Sequence, residues 1–346
     1  SAYFTLTAKK QGLNFGRSHV IIHTHSPHLW YKMNSLQMLD TLHDLILDHL
    51  ERQSVLMADY VVSPTEYMAN WMQDNGWQLD VDRYAIMPNI LPGWVHKQSR
   101  VVMEDAVILE LVFFGRLELK KGLVLFCDTM DQLSSKGAEM EGIKVTFLGR
   151  LPESNEERLM MRGGVRAKID DYIKQRAKKW KFPWQILKDM DAQARMDYMH
   201  TGNRLAVMPS IMENAPYTVV ECLVTAIPFL SAKVGGVPEL IHPDDHESAM
   251  IEQPNAKTLA KRLLLILKDG LRPARPAVSD ANVEKTWVVW HHVIMIENKN
   301  RDHIGGNTLQ KYDRPLVSVC IVTFNNPHTL KQAITSIEEQ EYTNVE

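Results

Sequence analysis

The sequence predicts an α/β protein with two doubly wound domains, each built on a parallel sheet. Short apolar runs alternate with longer stretches that have the helical period of about 3.6 residues, an order typical of parallel sheets covered by helices. A proline- and glycine-rich segment at residues 88–93 divides the alternation into two series, as a linker between two sheets would. A chain of 346 residues is long enough to bury two ordinary cores.

The first series, residues 1–91, predicts a domain that is incomplete at its N-terminus. It contains few strands for a doubly wound domain, and it begins close to a helix that should lie in mid-sheet. Its predicted strands are residues 20–22, 60–62 and 84–87, and its predicted helices are residues 36–58 and 67–72.

The second series, residues 92–280, predicts a complete domain. The charged stretch at residues 156–179 is predicted as one long helix. A helix at residues 281–299 and a polar linker at residues 300–313 follow. A new strand and helix within residues 314–346 predict the start of a third domain, because a lone strand and helix cannot bury a core. The predicted strands of the second series are residues 107–114, 143–148, 184–187, 205–208 and 229–231, and its other helices start at 122 and cover 192–199, 217–226 and 256–267.

Composition indicates a globular protein and argues against a nucleic-acid partner. The chain is 45% hydrophobic and 23% charged, and 39 basic against 42 acidic residues leave a net charge of -3, so no overall positive field attracts nucleic acid or anionic lipid. The three cysteines lie far apart and form no C-x-x-C pair, which suits a reducing compartment and predicts a cytoplasmic protein. No apolar run reaches the roughly 20 residues of a transmembrane helix, which leaves peripheral membrane contact open.

A basic turn after residues 107–114 is the first candidate site. Gly115 lets the backbone approach a ligand, and Arg116 and Lys121 can converge on a diphosphate at the carboxyl edge of the sheet. A solvated basic turn that opens a helix accounts for the same residues. The later motifs are needed to choose between these two interpretations.

A phosphate site is predicted where a helix begins after Pro216. The free N–H groups of the first turn, around Tyr217 and Thr218, and the helix dipole together favour an anion. Glu221 should lie roughly 7 Å further along the helix axis, about the offset from a phosphate to the ribose hydroxyls of a nucleotide. Glu213 precedes the helix and would lie on the sugar side. A helix-capping carboxylate and a solvated helix face account for each glutamate taken singly.

These glutamates, with Pro209-Ser210 before them, resemble the donor-site signature of the retaining, group 1 glycosyltransferases of family 4. Gly235-Gly236-Val237-Pro238-Glu239 resembles the next landmark of that family, and the segment ending in Gly149-Arg150 resembles the strand end that approaches the nucleotide base. The resemblance covers about residues 1–297. It implies the GT-B fold, in which two Rossmann-like domains face a cleft, with acceptor recognition in the first and donor recognition in the second.

The family resemblance implies the activity and the site. The expected reaction is a retaining transfer from a UDP- or GDP-sugar to a hydroxyl of a glycan or lipid-linked acceptor. No cofactor or metal is expected, because Arg116, Lys121 and the helix N-terminus would neutralise the departing diphosphate. Glu213 would hold sugar hydroxyls and Glu221 the ribose. The implied donor-binding residues are Gly115, Gly149, Arg150, Asn214, Ala215, Pro216, Tyr217, Thr218, Glu221, Gly235 and Gly236.

Four histidines surround the first predicted strand: His19, His23, His25 and His28. His25-Ser26-Pro27 resembles the place where family members put a histidine that faces the reacting carbon, so His25 is the fourth expected catalytic residue beside Arg116, Lys121 and Glu213. Because His23 and His25 share one strand face, a zinc site is an alternative, although it needs a third ligand. Hydrogen bonding at a strand end accounts equally for His23 and His28.

Three further features bear on the family interpretation. Many members have glycine and an aromatic residue directly after the first glutamate, where this chain has Asn214-Ala215, which leaves the sugar open. Trp287 and Trp290 lie where the C-terminal helix of the family returns to the first domain. Residues 314–346 resemble the start of a family 2, GT-A glycosyltransferase, which suggests assembly of a cell-surface polysaccharide.

Two other functions stay open: a nucleotide-sugar epimerase of the same fold, and a non-catalytic module that binds sugar nucleotides. An epimerase needs acid and base carboxylates in the first domain, which the sequence does not identify. A first domain without its early strands predicts that the chain binds nucleotide but transfers little sugar. The loops of those early strands would be needed to complete the cleft and exclude water.

Overall fold

The computed structural model describes residues 2–304, apart from residues 14, 17, 36, 97–106, 152–158, 161–165 and 253, together with Lys331, Ile334 and Thr335. The strand predicted at the start of residues 314–346 lies outside the described residues, and so does most of the helix predicted after it.

The N-terminal unit is a parallel sheet of three described strands in the order β1-β2-β3, so that strands adjacent in sequence are neighbours in space. The three predicted strands are all present. The helix predicted from residue 36 begins only at Leu42, because Thr41 and Asp44 form a capping box that satisfies the first-turn amides there. The elements are α1 (Tyr3–Lys10), β1 (Ile21–His23), α2 (His28–Asn34), α3 (Leu42–Met57), β2 (Tyr60–Ser63), α4 (Glu66–Asp74) and β3 (Tyr84–Ile86).

The C-terminal unit is a parallel sheet of six described strands in the order β11-β10-β9-β4-β5-β8. Its helices and strands are α5 (Gly93–His96), β4 (Glu110–Phe114), α6 (Leu123–Leu133), β5 (Lys144–Leu148), β6 (Leu159–Met160), β7 (Arg166–Ala167), α7 (Ile169–Ala177), β8 (Trp184–Leu187), α8 (Ala192–His200), β9 (Arg204–Met208), α9 (Tyr217–Val224), β10 (Phe229–Ala232), α10 (Val237–Leu240), α11 (His246–Ala249), β11 (Met250–Ile251), α12 (Ala256–Asp269) and α13 (Asp280–Ile304).

The strand order of this unit reverses between β4 and β9. From β4 the chain proceeds to β5 and β8 on one side of the sheet, and from β9 to β10 and β11 on the other. Loops that leave the carboxyl ends of two such strands diverge, and the crevice between them is where doubly wound folds bind ligands. The topology therefore predicts a ligand-binding crevice between the loops after Phe114 and Met208.

The core lies on both faces of the six-stranded sheet. Successive side chains of β4 point to opposite faces, so Leu111 and Phe113 pack in one cluster with α6, α7 and α12, while Val112 and Phe114 pack in the other with α8 and α9. All four are at most 2% exposed. This double burial explains why the strands read as continuous apolar runs in the sequence.

The long helix predicted over residues 156–179 is wrong. The structure has the antiparallel pair β6 and β7 in this stretch, and the helix α7 spans only Ile169–Ala177. The sequence carries Gly163-Gly164 between β6 and β7, and each glycine costs a helix about 1 kcal/mol relative to alanine.

α13 connects the two units. Its Trp287 donates a hydrogen bond from Nε1 to the carbonyl of Pro88 at 2.8 Å, and its Trp290 ring lies edge-on to Tyr60 of β2 with centroids 5.8 Å apart. α13 continues to Ile304, into the stretch predicted as a linker. Among the described residues, no helix combines the length and apolarity needed to span a membrane.

Candidate active site

A cleft of about 450 Å³ lies between the two units, at the carboxyl ends of β4 and β9. Its position agrees with the strand-order reversal of the C-terminal unit. The N-terminal unit contributes His25, Ser26, Trp30 and Tyr31 to the lining, and the C-terminal unit contributes Gly115, Arg116, Lys120, Lys121, Arg195 and residues 212–218.

Most of the residues predicted from the sequence meet in this cleft. Those that line it are His25, Gly115, Arg116, Lys121, Glu213, Asn214, Ala215, Pro216, Tyr217 and Thr218. The predicted residues outside the lining are Gly149, Arg150, Glu221, Gly235 and Gly236.

Lys121 and Glu213 form an ion pair on the C-terminal side of the cleft. Lys121 Nζ lies 2.5 Å from Glu213 Oε1, and the Ser210 hydroxyl donates to the same oxygen at 2.7 Å. Glu213 is 9% exposed, so its charge depends on these partners rather than on water. The ion pair therefore holds the Lys121 ammonium against the loop that precedes α9.

Arg116 lies in the loop after β4 and also lines the cleft. Its Nη1 is 2.8 Å from Glu118 Oε1, and its side chain is 55% exposed, whereas that of Glu118 is 5% exposed. Gly115 precedes it with φ 154°, a conformation that glycine adopts easily. The guanidinium can reorient toward an anion in the cleft, because the tether to Glu118 constrains only one edge of it.

The N-terminus of α9 opens into the cleft. Pro216 is its N-cap and has no side-chain acceptor for the first-turn amides. Tyr217 and Thr218, the first two residues of the helix, line the cleft. Partial positive charge at a helix N-terminus attracts anions, and here Arg116 and Lys121 lie in the lining of the same cleft.

Glu221 lies one turn into α9 and is largely buried. Burial raises the pKa of its carboxyl to about 7, and the charge of Arg195 opposes that rise. Arg195, on α8, lines the cleft beside α9. A carboxyl with a pKa of about 7 hydrogen-bonds readily to hydroxyl groups, as either acceptor or donor.

His25 reaches the cleft from the N-terminal unit, whereas His23 points toward α13. The two rings are 4.1 Å apart, and the His23 ring also lies 5.6 Å from that of Trp287. Burial lowers the pKa of His25, and burial with the charge of His25 lowers the pKa of His23 to about 4. Both shifts favour the neutral imidazole, and of the two rings only that of His25 lines the cleft.

The zinc alternative receives no support from the described part of the chain, which contains no group of three or more His, Cys, Asp or Glu side chains placed to hold a metal. His28 has a structural role. Its ring is 2.7 Å from Asp44 Oδ1, and its backbone N–H donates to Glu51 Oε2 at 2.7 Å, so it ties α2 to α3.

The three predicted glycines that do not line the cleft allow close contact between the backbone segments that support it. A Cβ on Gly149 would overlap the carbonyl oxygen of Gly115, and a Cβ on Gly235 or Gly236 would overlap the carbonyl oxygen of Glu213 or Asn214, respectively. Backbones can approach this closely only where a side chain is absent. These glycines therefore set the position of the binding loops.

Six lining residues were not chosen as site residues from the sequence: Ser26, Trp30, Tyr31, Lys120, Arg195 and Met212. Trp30 Nε1 donates to Tyr67 Oη at 3.0 Å, and that hydroxyl contacts Met212 Sδ at 3.2 Å, which links the two walls of the cleft. Lys120 Nζ lies 4.1 Å from the centroid of the Tyr31 ring. Ser26 belongs to the His25-Ser26-Pro27 motif, and Lys120 and Met212 directly precede Lys121 and Glu213 in the sequence, so these three could have been included on that ground. Trp30, Tyr31 and Arg195 carry no sequence signal.

The two α/β units that face a common cleft have the architecture of the GT-B fold. The family model described as "Glycosyl transferases group 1" matches residues 104–282, more than half of the chain. The chain belongs to the group 1 glycosyltransferases. No curated protein matches the sequence significantly.

Solved structures show the same fold. Sucrose-phosphate synthase from Thermosynechococcus elongatus is 16% identical, with a TM-score of 0.54 over 88% of this chain and 72% of that one. Anabaena HepE in complex with UDP is 13% identical, with a TM-score of 0.55 over 88% and 76%. S. aureus TarM is 14% identical, with a TM-score of 0.56 over 82% and 52%. At these identities the similarity establishes the GT-B fold of two Rossmann-like domains.

Proposed function

We propose that this protein transfers a sugar from a UDP- or GDP-sugar to a hydroxyl of a glycan or lipid-linked acceptor, with retention of configuration at the reacting carbon. One observation carries the proposal. Arg116, Lys121 and the N-terminus of α9 line one cleft at the switch point of the donor-side sheet. Two cations and a helix dipole that converge in this way match the charge of a nucleoside diphosphate.

The diphosphate is also the leaving group, so the groups that bind it would promote the reaction. As the glycosidic bond to phosphate breaks, negative charge grows on the departing oxygen, and preorganised cations stabilise that charge in the transition state. Arg116, Lys121 and the first-turn amides of α9 take this role, and the proposal needs no metal or other cofactor. His25, Arg116, Lys121 and Glu213 are the proposed catalytic residues.

The other proposed donor contacts involve Glu221 of α9, Glu213 in the loop before it, and His25 on the opposite wall of the cleft. The buried carboxyl of Glu221 would bind the ribose hydroxyls, further along the helix than the phosphates. Glu213 would bind hydroxyls of the donor sugar while it keeps Lys121 in place. His25, from the opposite wall, would face the sugar near its reacting carbon.

UDP is the favoured nucleotide among the alternatives. HepE was solved in complex with UDP and with UDP and glucose, and TarM in complex with UDP and α-GlcNAc-glycerol. These ligands are known for those proteins, and the shared fold supports testing UDP-sugars first here. The proposed acceptor is a glycan or a lipid-linked sugar.

The finer classification extends the proposal. The spacing of Glu213 and Glu221 supports membership in family 4, and the resemblance of residues 314–346 to a family 2 enzyme supports a role in cell-surface polysaccharide synthesis in the cytoplasm. The last step is an analogy from domain fusion.

A nucleotide titration followed by product analysis tests the proposal. UDP, GDP and ADP are titrated by calorimetry, and a ligand that binds only the native state should also raise the unfolding temperature. The preferred UDP- or GDP-sugar is then incubated with glycan acceptors, and the products are analysed for a new glycosidic bond and its anomeric configuration. An isomerised donor would indicate an epimerase, and binding without any product would indicate a non-catalytic module.

A further inference from the structure

The first-turn amides of α4, in the N-terminal unit, are bound by a carboxylate from the opposite unit. Glu239 of α10 accepts a hydrogen bond from the Glu66 backbone N–H at 2.6 Å and from that of Tyr67 at 2.7 Å, one on each oxygen. The hydroxyl of Thr65, the N-cap of α4, accepts a hydrogen bond from the Met68 N–H at 3.2 Å. The cap of α4 is therefore shared between the two units.

The segment that carries Glu239 also supports the donor side of the cleft. Gly236 donates its N–H to the carbonyl of Glu213 at 3.2 Å, and Gly235 packs against the same carbonyl. Glu213 in turn holds Lys121. A displacement of Glu239 would therefore be transmitted to the proposed diphosphate site.

A second cross-unit contact joins the same helix start to His25. The Thr65 hydroxyl donates to Asn214 Oδ1, and Asn214 Nδ2 donates to the His25 carbonyl at 2.7 Å. Asn214 directly follows Glu213. Asn214, in the loop before α9, thus links the start of α4 to the end of β1 by a chain of hydrogen bonds across the cleft.

We propose that Glu239 is a positioning residue that holds the two units in the arrangement in which His25 faces Lys121 and Glu213. This inference rests on the proposed function, because it assigns the arrangement to sugar transfer. When the units separate, the Glu66 and Tyr67 amides exchange a charged acceptor for water, so Glu239 interacts differently with the closed and open arrangements. Such a difference is what shifts a conformational equilibrium.

The chemistry of the contact requires a carboxylate of this length. An ionised carboxylate is acceptor-only and can serve two N–H donors at once, and it interacts favourably with the dipole of α4. Glutamine at position 239 would place an NH₂ donor against one of the two amides. Aspartate keeps the charge but is one methylene shorter, so it should retain part of the effect.

The test compares Glu239→Gln with Glu252→Gln. Glu252 lies in the same unit, is 75% exposed and pairs with Lys233, so it serves as a matched control for loss of a carboxylate. In Glu239→Gln we expect faster amide exchange at Glu66 and Tyr67, a UDP affinity within about twofold of the parent, and a kcat reduced about 10- to 100-fold, the range expected from displacement of a catalytic group. Donor hydrolysis should rise relative to transfer, because an open cleft admits water.

Amide exchange and kinetics together test the role of Glu239 separately from the proposed function. Unchanged exchange at Glu66 and Tyr67 in Glu239→Gln would overturn the shared cap, whether or not the protein is a transferase. Unchanged kcat, or a loss of UDP affinity as large as the loss of kcat, would overturn the positioning role. Failure of the parent chain to bind UDP, GDP or ADP would refute the proposed function, and amide exchange would still decide the cap.

A purely structural role would give a different pattern. If Glu239→Gln unfolds, Glu239→Asp provides the second variant, and its kcat should fall below that of the parent at equal unfolding temperature. Combining Glu239→Gln with Thr65→Val should lower kcat by less than the product of the single effects, because both contacts act on the same closure. If the two substitutions lowered kcat by the full product of their single effects, the two contacts would not act on the same closure.

Discussion

Lys121 Nζ lies 2.5 Å from Glu213 Oε1 across the loop that precedes α9. The two residues are far apart in sequence, and both line the cleft. Removing either one leaves the other charge in a site where burial keeps water away, so the pair links donor binding to local stability.

Lys121→Ala and Arg116→Ala should both reduce transfer strongly, by about 3 kcal/mol of barrier or roughly 100-fold in kcat, because each removes a cation from the departing diphosphate. Lys174→Ala on α7 is the control, since Lys174 is exposed and does not line the cleft. Near-parental rates in both variants would contradict the diphosphate assignment.

The same two variants should differ in stability. Lys121→Ala leaves Glu213 buried without its ion-pair partner and should lower the free energy of unfolding by about 1–3 kcal/mol. Arg116→Ala should lower it less, because the buried carboxylate of Glu118 keeps Lys120 as a partner at 3.5 Å. Adding Glu213→Gln to Lys121→Ala should restore part of the loss. Denaturant unfolding measures all four proteins.

Glu221→Gln should stabilise the protein at pH 8 and much less at pH 5. The pKa of Glu221 is raised by burial from 4.5 to about 7, so ionisation costs more in the native state than in the unfolded state. The native state holds the proton between these values, and stability falls as pH rises through this window. Glutamine removes that penalty, by about 1–3 kcal/mol at pH 8.

Thermal unfolding of the parent and of Glu221→Gln at pH 5 and pH 8 checks this. An equal difference in unfolding temperature at both pH values would show that the carboxyl titrates normally. Glu252→Gln is again the control, because that exposed carboxyl is already ionised at both pH values.

Glu221 and Glu213 should act on different parts of the donor. Glu221→Gln should weaken the binding of free UDP or GDP by removing ribose contacts, whereas Glu213→Gln should mainly weaken binding of the intact nucleotide sugar. Calorimetry with the diphosphate alone and with the nucleotide sugar measures both. If Glu213→Gln lowers affinity for the free diphosphate as much as Glu221→Gln does, this division of roles is wrong.

Gly235→Ala should damage the site although Gly235 does not line it. Gly235 has φ 53°, and a Cβ there would overlap the Glu213 carbonyl oxygen, so the loop before α9 must move. We expect a loss of stability of about 1–3 kcal/mol together with weaker nucleotide binding.

Gly137→Ala is the matched control for that substitution. Gly137 has an ordinary negative φ, and no atom lies within 4 Å of its Cβ position. It should fold and bind nucleotide like the parent. Normal nucleotide binding by Gly235→Ala would show that the loop tolerates displacement.

The strands and the helix starts of the site could be predicted from the sequence because their signals are local. Hydrophobic runs, the glycine after β4 and the proline before α9 act on a few neighbouring residues, and the sheet topology then brings the carboxyl ends of β4 and β9 together. These signals together with the family resemblance predicted Arg116, Lys121, Glu213 and the first turn of α9 as site residues, and they meet in one cleft.

On the opposite wall of the cleft, the sequence predicted His25, but the two aromatic residues of that wall depended on tertiary structure. Trp30 and Tyr31 lie on the short helix α2, whose placement is set by contacts to α3 and to Tyr67, and no local pattern encodes those contacts. Local signals also failed for residues 156–179, where charge periodicity resembled a helix although a glycine pair interrupts it.

The sequence by itself determined which residue types stand at each strand end and helix start, since backbone conformation and short-range periodicity depend on near neighbours. Only the tertiary structure decided what those residues contact. Glu239 could be recognised as part of a motif, yet its partners are two backbone amides more than 170 positions away in the chain. Backbone N–H groups are present at almost every position, so their role as partners carries no signature in the sequence.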